Sequence, residues 1–199
     1  MSEKPMSLRE RNHLRTRDEI LIAASILMGE RAADTITVED IALLAGVSRG
    51  TIYTYFSDGR DQVVRDAYLR TAAIVNQNAV LKRDQYDNFT DRVLALAKAF
   101  ADVVVTPEGK FYGPVGTGTS GPLSKVIGAT SEFFQKMIVE DLEDLRANGR
   151  INADTPVPEM AKLLVGSIRS IGIACSVKPT ALSKYLEAMR MLCASLINN

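Results

Sequence analysis

The sequence holds a single histidine, His13, and only two cysteines, Cys175 and Cys193, far apart along the chain. One imidazole without clustered thiols offers no ligand set for a zinc ion. Two isolated thiols in apolar surroundings make no disulfide framework and read as small buried hydrophobes. No secretory leader precedes the first helical pattern, and a reducing cytoplasm is the expected setting. No apolar run approaches the roughly 20 residues needed to cross a bilayer, so no embedding in a membrane is expected. Charge of one sign is missing as well, with 24 Lys and Arg against 24 Asp and Glu. The basic surplus that marks many nucleic-acid binders is therefore absent from the composition.

What is present is a foldable, helix-rich chain. At 46% hydrophobic and 24% charged residues it has the balance of a globular protein and not of a disordered one. Its 199 residues are enough for a core without covalent staples. The first 17 residues form a basic arm, with Lys4, Arg9, Arg11, Arg15 and Arg17 against Glu3 and Glu10. From Arg11 to Gly29, Ile20, Ala24, Leu27 and Met28 recur with the spacing of an amphipathic helix. Thr37 caps a second helix, Val38 to Leu44, and Ser48 caps a third, Arg49 to Phe56, with Gly46 breaking the pattern between them. Longer helices are expected over 59–79, 89–105, 123–147, 156–174 and 180–197, with an extended loop at 107–122, where five glycines and three prolines fall.

Residues 37–56 pose and solve a packing problem. Two helices that cross steeply need a small residue at the crossing and a turn residue that tolerates positive φ. Ala42 and Gly46 answer those needs, and Ile52 plugs the second helix onto the core, with Ile41, Leu44 and Val47 adding apolar contacts. Ser48 and Thr37 read as helix caps whether or not they touch anything else. Tyr53 and Tyr55 stand two positions apart on one helix and cannot face the same way, so one of them is expected to be exposed.

The full run Thr37-Val-Glu-Asp-Ile-Ala-Leu-Leu-Ala-Gly-Val-Ser-Arg-Gly-Thr-Ile-Tyr-Thr-Tyr-Phe56 resembles the TetR family signature. The resemblance implies an all-α protein in two parts: a three-helix helix-turn-helix DNA-binding domain (1–58) and a larger helical domain (59–199) for effector binding and dimerisation. It makes Arg49, Gly50, Thr51 and Tyr53 the major-groove face, Arg49 being suited to a bidentate guanine contact and Thr51 to a thymine methyl. Gly50, lacking a side chain, lets the backbone approach. Thr37, Ser48 and Tyr55 become phosphate clamps, and Arg15 and Arg17 reach the backbone or minor groove from the arm. The chain departs from the family's usual pattern at Ala32 and Ala33, where glycine and an aromatic are common, and at Gly59, where a lysine usually holds a phosphate. Arg60 is expected to take over that contact.

For the second domain the resemblance implies that the last two helices pair with those of a second copy. Leu164, Ile168, Ile171, Leu182, Tyr185, Leu186, Met189 and Leu192 form the candidate interface, with Gly166, Ser167, Ser170, Gly172 and Ala174 permitting close approach. Phe100, Phe111, Tyr112, Phe133, Phe134 and Met137 are the candidate walls of a pocket for a small, largely hydrophobic effector. The expected partners are thus a palindromic double-stranded operator, an effector and a second copy. No cofactor and no catalytic role are expected.

Two other readings are open. Gly116-Thr-Gly-Thr-Ser-Gly121, with Asp141 twenty residues beyond its last glycine, has the form of a dinucleotide fingerprint. Its setting is wrong, because no strand leads into it and Asp141 falls within a helical pattern; a flexible loop, or a lid over the pocket, suits it better. The near-neutral charge and Gly59 also suit a helical adaptor with no operator of its own.

Overall fold

The computed structural model describes residues 6–114 and 121–198. Among them are eight α-helices and no strand: α1 (Leu8–Glu30), α2 (Val38–Ala45), α3 (Arg49–Tyr55), α4 (Arg60–Arg83), α5 (Phe89–Val104), α6 (Ala129–Ala147), α7 (Val157–Val177) and α8 (Leu182–Ala194). Short 3-10 turns sit at Ala33–Thr35, Lys110–Tyr112 and Pro179–Ala181.

Local chemistry sets most boundaries. Helix α1 starts three residues before Arg11 because Ser7 and Glu10 form a reciprocal capping box, the Ser7 amide donating to the Glu10 carboxylate at 2.7 Å. Much of the basic segment is therefore the exposed first half of a helix rather than an extended arm. Asn88 caps α5 by accepting from the Asp91 amide at 2.9 Å. Helix α4 runs four residues past its expected end at 79, to Arg83, which is buried and bonded to Asp141 of α6. Helix α6 begins at Ala129, later than the apolar pattern predicts, with Gly128 at φ +105° turning the chain into it. Within the expected loop, residues 107–114 are tightly turned, with Phe111 and Tyr112 buried; the lid reading rests partly on 115–120, outside the described residues.

Helices α1 to α3 close around Ile20, Ile41, Ile52 and Phe56, all without accessible surface. Phe56 is core, as its place in the pattern predicts, and truncating it to alanine costs roughly 3–5 kcal/mol. Leu44 is a miss: it stands half exposed on α2. Helix α4 joins the halves. Asp66 and Arg70 pair with Arg17 and Asp18 of α1, and Arg83 reaches α6. Helix α5 lies between α4, α7 and α8, with α6 against α7.

Helix α7 is the most apolar of the described long helices, although no uninterrupted apolar run spans it. Its best 18-residue window has a mean hydropathy of 1.4, and it is the one described helix that meets the length and composition for crossing a membrane. Charges at Lys162 and Arg169 interrupt any continuous apolar run, which is why the sequence pattern hides it. Its inward face packs on α5 and α6 through Leu164, Val165, Ile168 and Ile171. Gly172 has a partner inside the same chain too. A Cβ there would lie 2.1 Å from Cε1 of Phe100, so the close approach is of α7 to α5, not of two copies. Cys175 and Cys193 are buried thiols, and burial pushes Cys193 up to about 12, leaving it unreactive at neutral pH.

Candidate functional site

The helix-turn-helix is held by caps at every joint. Thr37 Oγ1 accepts from the Asp40 amide at 3.2 Å and donates to Asp40 Oδ2 at 2.7 Å, and Asp40 also receives the Thr37 amide and the Arg31 guanidinium. These bonds, those from Thr37 first, hold the Asp40 carboxyl down at about 2. Gly46 ends α2 at φ +66° and ψ +30°, and Ser48 Oγ then accepts from the Thr51 amide at 3.0 Å to start α3. The hydroxyls of Ser48 and Thr51 also bond each other at 2.9 Å.

Helix α3 is anchored by one fully buried residue, Ile52, and turns Arg49, Gly50, Tyr53 and Thr54 outward. Tyr53 is 49% exposed, whereas Tyr55 is half-buried with its ring 4.4 Å from that of His13 on α1. The two tyrosines thus divide as their spacing predicts. Arg49 reaches back to Glu39 of α2 at 2.7 Å, in an ion pair with both side chains more than half exposed. A surface of this kind presents a cation, an aromatic edge and a bare backbone position on one convex helix. It can enter a groove and offer hydrogen-bond donors to base edges.

Several candidates have other work. Arg17 does not lie ready to reach outward: its guanidinium pairs with Asp66 at 2.7 Å and sits 5.1 Å above the Phe56 ring, clasping α1 to α4. Arg60 is turned inward. Its Nε donates to the Ile36 carbonyl at 2.7 Å, and its other nitrogens bond the Ala33 carbonyl and Asp61. It stitches α4 to the corner that carries Ala32 and Ala33, so it is not placed to replace a phosphate-holding lysine. Thr37 has its proton directed at Asp40, a carboxylate at the very helix end where a phosphate was expected. Arg15 is exposed and pairs with Glu19 at 3.6 Å, leaving it the arm's clearest outward cation among the named candidates. Sequence reasoning missed Thr54 on the exposed face of α3 and Glu39 as the partner of Arg49.

A second concavity lies among α4, α5, α6 and α7, a partly open cavity of about 20 Å³, room for little more than one water. Phe100, Phe134, Val165 and Ile168 give it apolar walls, while Tyr68, Tyr112, Thr130, Ser131 and Arg169 give polar ones. Tyr112 bonds Thr130 through their hydroxyls at 2.8 Å, and its ring lies 4.8 Å from that of Tyr68. Burial, with Tyr68 beside it, pushes the Tyr112 phenol far above its ordinary range, so it stays a neutral hydroxyl. Arg169 Nη1 donates to Ser131 Oγ at 3.4 Å.

Of the six expected pocket residues, Phe100, Tyr112 and Phe134 line this cavity. Phe111 is buried behind Tyr112, edge-on at 5.8 Å. Phe133 and Met137 are not part of the lining; Phe133 is half-buried and Met137 is buried in the core. The polar half of the lining went unseen in the sequence. Its signal was Arg169, a charge inside the otherwise apolar α7.

The expected dimer residues divide between the inside and the outside of the chain. Leu164, Ile168, Ile171 and Met189 are buried within the chain, and Ile168 lines the cavity. Leu182 and Leu186 are half-buried, and Tyr185 and Leu192 are exposed. The outward apolar residues of these helices are Leu163, Ile173 and Val177 on α7 and Tyr185, Met191 and Leu192 on α8. The fingerprint-like Gly116–Gly121 stretch lies outside the described residues except for Gly121. Asp141, its notional acidic partner, is buried in mid-α6 and accepts from Arg83 and Arg92 at 2.6 and 2.7 Å.

No curated protein matches the chain. Solved structures do. The fatty acid degradation regulator FadR from Bacillus halodurans superposes with a TM-score of 0.74 at 16% identity, covering 88% of this chain and 96% of that one. The transcriptional regulator FadR from Bacillus subtilis, solved in complex with stearoyl-CoA, gives 0.73 at 14% identity over 86% and 96%. The ketosteroid transcriptional regulator of Mycobacterium tuberculosis gives 0.66 at 19% identity over 92% and 95%. At such identities the likeness is one of fold. Residues 20–67 match the family model described as bacterial regulatory proteins, tetR family. That match spans the helix-turn-helix from the core of α1 to the first turns of α4, 48 of the 199 residues.

Proposed function

We propose that this protein is a cytoplasmic repressor that binds a palindromic operator as a dimer and is released from it by a small, largely hydrophobic effector. The observation that carries the reading is α3 itself, a capped helix anchored by Ile52 that turns Arg49, Gly50, Tyr53 and Thr54 to the outside. Residues 1–58 act as the DNA-binding unit and 59–199 as the sensing and dimerisation unit. Within 1–58 there are seven Lys and Arg against nine Asp and Glu. The grip is accordingly directional, resting on a few exposed groups, and its salt dependence is shallower than that of a strongly basic domain.

Two recognition helices must be held at a fixed spacing to read two half-sites, which a second copy supplies. The exposed Leu163, Ile173 and Val177 of α7, beside Tyr185, Met191 and Leu192 of α8, are the face it covers. The cavity among α4 to α7 takes the effector, a role supported by the stearoyl-CoA complex of the structurally similar Bacillus subtilis regulator. Release follows when the effector binds better to the conformation whose recognition helices are badly spaced.

The test is selection of duplexes from a random pool by the full-length protein, followed by anisotropy titration. A selected palindrome is bound at least about a hundredfold tighter than random duplex, and Arg49→Ala and Tyr53→Ala each lose roughly tenfold or more. Sedimentation shows a dimer that Val177→Asp dissociates. Equal affinity for every duplex overturns the reading in favour of an adaptor.

A further inference from the structure

We propose that the first half of α1 carries a second contact with DNA, a groove beside the end of α3 in which Arg9, Asn12, His13 and Thr16 seat a phosphate of the duplex backbone. This rests on the reading of α3 as the helix that enters DNA. It supplies the phosphate contact that Arg17 and Arg60, tied up within the chain, are not placed to make.

An open groove of about 630 Å³ runs between α1 and the last residue of α3, lined by Leu8, Arg9, Asn12, His13, Thr16 and Tyr55. Positions 9, 12, 13 and 16 have the spacing of one helix face, so the four polar side chains form a single stripe. The ring of His13 lies 4.4 Å from that of Tyr55 and holds the stripe against α3. Tyr55 stands about 200° round the helix from the exposed Tyr53. The groove therefore flanks the face of Arg49, Gly50, Tyr53 and Thr54 and meets a duplex beside its bases, where the backbone runs.

The chemistry of the lining selects an anion. Apart from Leu8, every residue in it can donate a hydrogen bond, and none is a carboxylate. Among the described residues, Arg9, Asn12 and Thr16 make no side-chain hydrogen bond or ion pair. The acid next to Arg9 in sequence, Glu10, is turned back to the Ser7 amide and hydroxyl at 2.7 and 2.8 Å. Elsewhere in 1–58 the described cations are mostly offset: Arg15 by Glu19, Arg17 by Asp66, Arg31 by Asp40 and Arg49 by Glu39. Only Arg9 and Arg11 among them lack an acidic partner, and Arg9 is the one in the groove. A phosphodiester matches this set, with one negative charge and two free oxygens, one for the guanidinium fork and one for the neutral donors. The open form of the groove lets a strand pass along it, where a closed pocket would admit only a small ion.

The experiment is anisotropy titration of the full-length protein with its selected palindrome and with random duplex, each over a series of salt concentrations. Arg9→Gln weakens both duplexes by the same factor, roughly threefold to tenfold, and lowers the slope of log affinity against log salt by about 1 per bound protomer. The preference for the palindrome stays within about twofold of wild type, whereas Arg49→Ala diminishes it. Arg9→Lys keeps the slope. Arg11→Gln removes the same charge outside the groove and changes affinity by less than about twofold at physiological salt. Thr16→Val keeps the shape, loses the hydroxyl and weakens both duplexes about twofold to fivefold at unchanged slope. Circular dichroism establishes that each variant is folded. An unchanged affinity in Arg9→Gln, an equal loss in Arg11→Gln, or a loss confined to the palindrome overturns the proposal. If the wild type selects a palindrome that Arg9→Gln binds equally well, the regulator stands and the groove falls. If every duplex is bound alike and Arg9→Gln weakens them all, the groove stands and the repressor falls. A wild type that binds no duplex removes both.

Discussion

The ring of Tyr53 occupies the space that a side chain at Gly59 would need, since a Cβ there would lie 2.9 Å from Tyr53 Cε1. Gly59 also holds φ +62° and ψ −135°, a backbone region almost confined to glycine. Where the tetR pattern that this run resembles has a lysine, this chain has a glycine that seats the exposed tyrosine of α3 against the start of α4. Gly59→Lys is expected to cost about 1–3 kcal/mol of stability. It should also weaken operator binding despite adding a positive charge. Denaturant melts and anisotropy titrations check both, and tighter binding would show that Tyr53 does not depend on this seat.

The Arg49–Glu39 pair makes a second prediction. Both side chains are more than half exposed at 2.7 Å, so the pair contributes little to stability, about 0–1 kcal/mol. On the proposed reading it holds Arg49 away from a base edge and sets a carboxylate near the phosphates. Glu39→Gln should tighten operator binding by up to about fivefold with an almost unchanged melting temperature. In an Arg49→Ala background the gain should vanish. A gain that persists there would mean that Glu39 acts on DNA directly.

Asp40 gives the α2 cap a pH dependence whose sign is set by its lowered carboxyl. A carboxyl held near 2 in the folded chain, against an ordinary 3.8, contributes stability above the ordinary value and loses it as pH falls through the folded one. Comparing the urea midpoints of wild type and Asp40→Asn, the wild-type advantage should be constant above about pH 5 and shrink between about pH 4 and 2. A difference that stays flat over that window rules the cap out as its source. Thr37→Ala, which removes the capping hydroxyl itself, should cost about 1 kcal/mol at neutral pH.

Asp141 is almost inaccessible and serves two arginines, Arg83 and Arg92, from different helices. Removing it leaves the buried Arg83 with only the more distant Asp84 carboxylate, at 3.8 Å, and Arg92 with no close acid. Asp141→Ala should therefore destabilise by about 3–5 kcal/mol, lowering the melting temperature by roughly 6–20 °C in a chain of this size. Calorimetry decides; a shift of only a degree or two would mean that water enters to solvate the arginines.

The helix-turn-helix was legible because its determinants lie within a few residues of one another. Thr37 with Asp40, Ser48 with Thr51, Gly46 in its left-handed turn and Ile52 as the inward anchor are neighbours along the chain, and their chemistry acts at that range. The same holds for the division of Tyr53 from Tyr55, which follows from helical spacing alone. Where a long side chain finds its partner is another matter. Arg17 and Arg60 read as outward cations until the fold brings Asp66 and the carbonyls of Ala33 and Ile36 beside them. Helix α7 is apolar on two faces, and only the arrival of α5 and α6 decides that Leu164, Ile168 and Ile171 turn inward while Leu163, Ile173 and Val177 remain outside. The cavity belongs to the same class, since its lining comes from α4, α5, α6, α7 and the 110–112 turn. Caps and turns are short-range bonds that a chain carries in its local order; ion pairs, buried faces and cavities are made between segments far apart in sequence, and exist only once packing has chosen the neighbours.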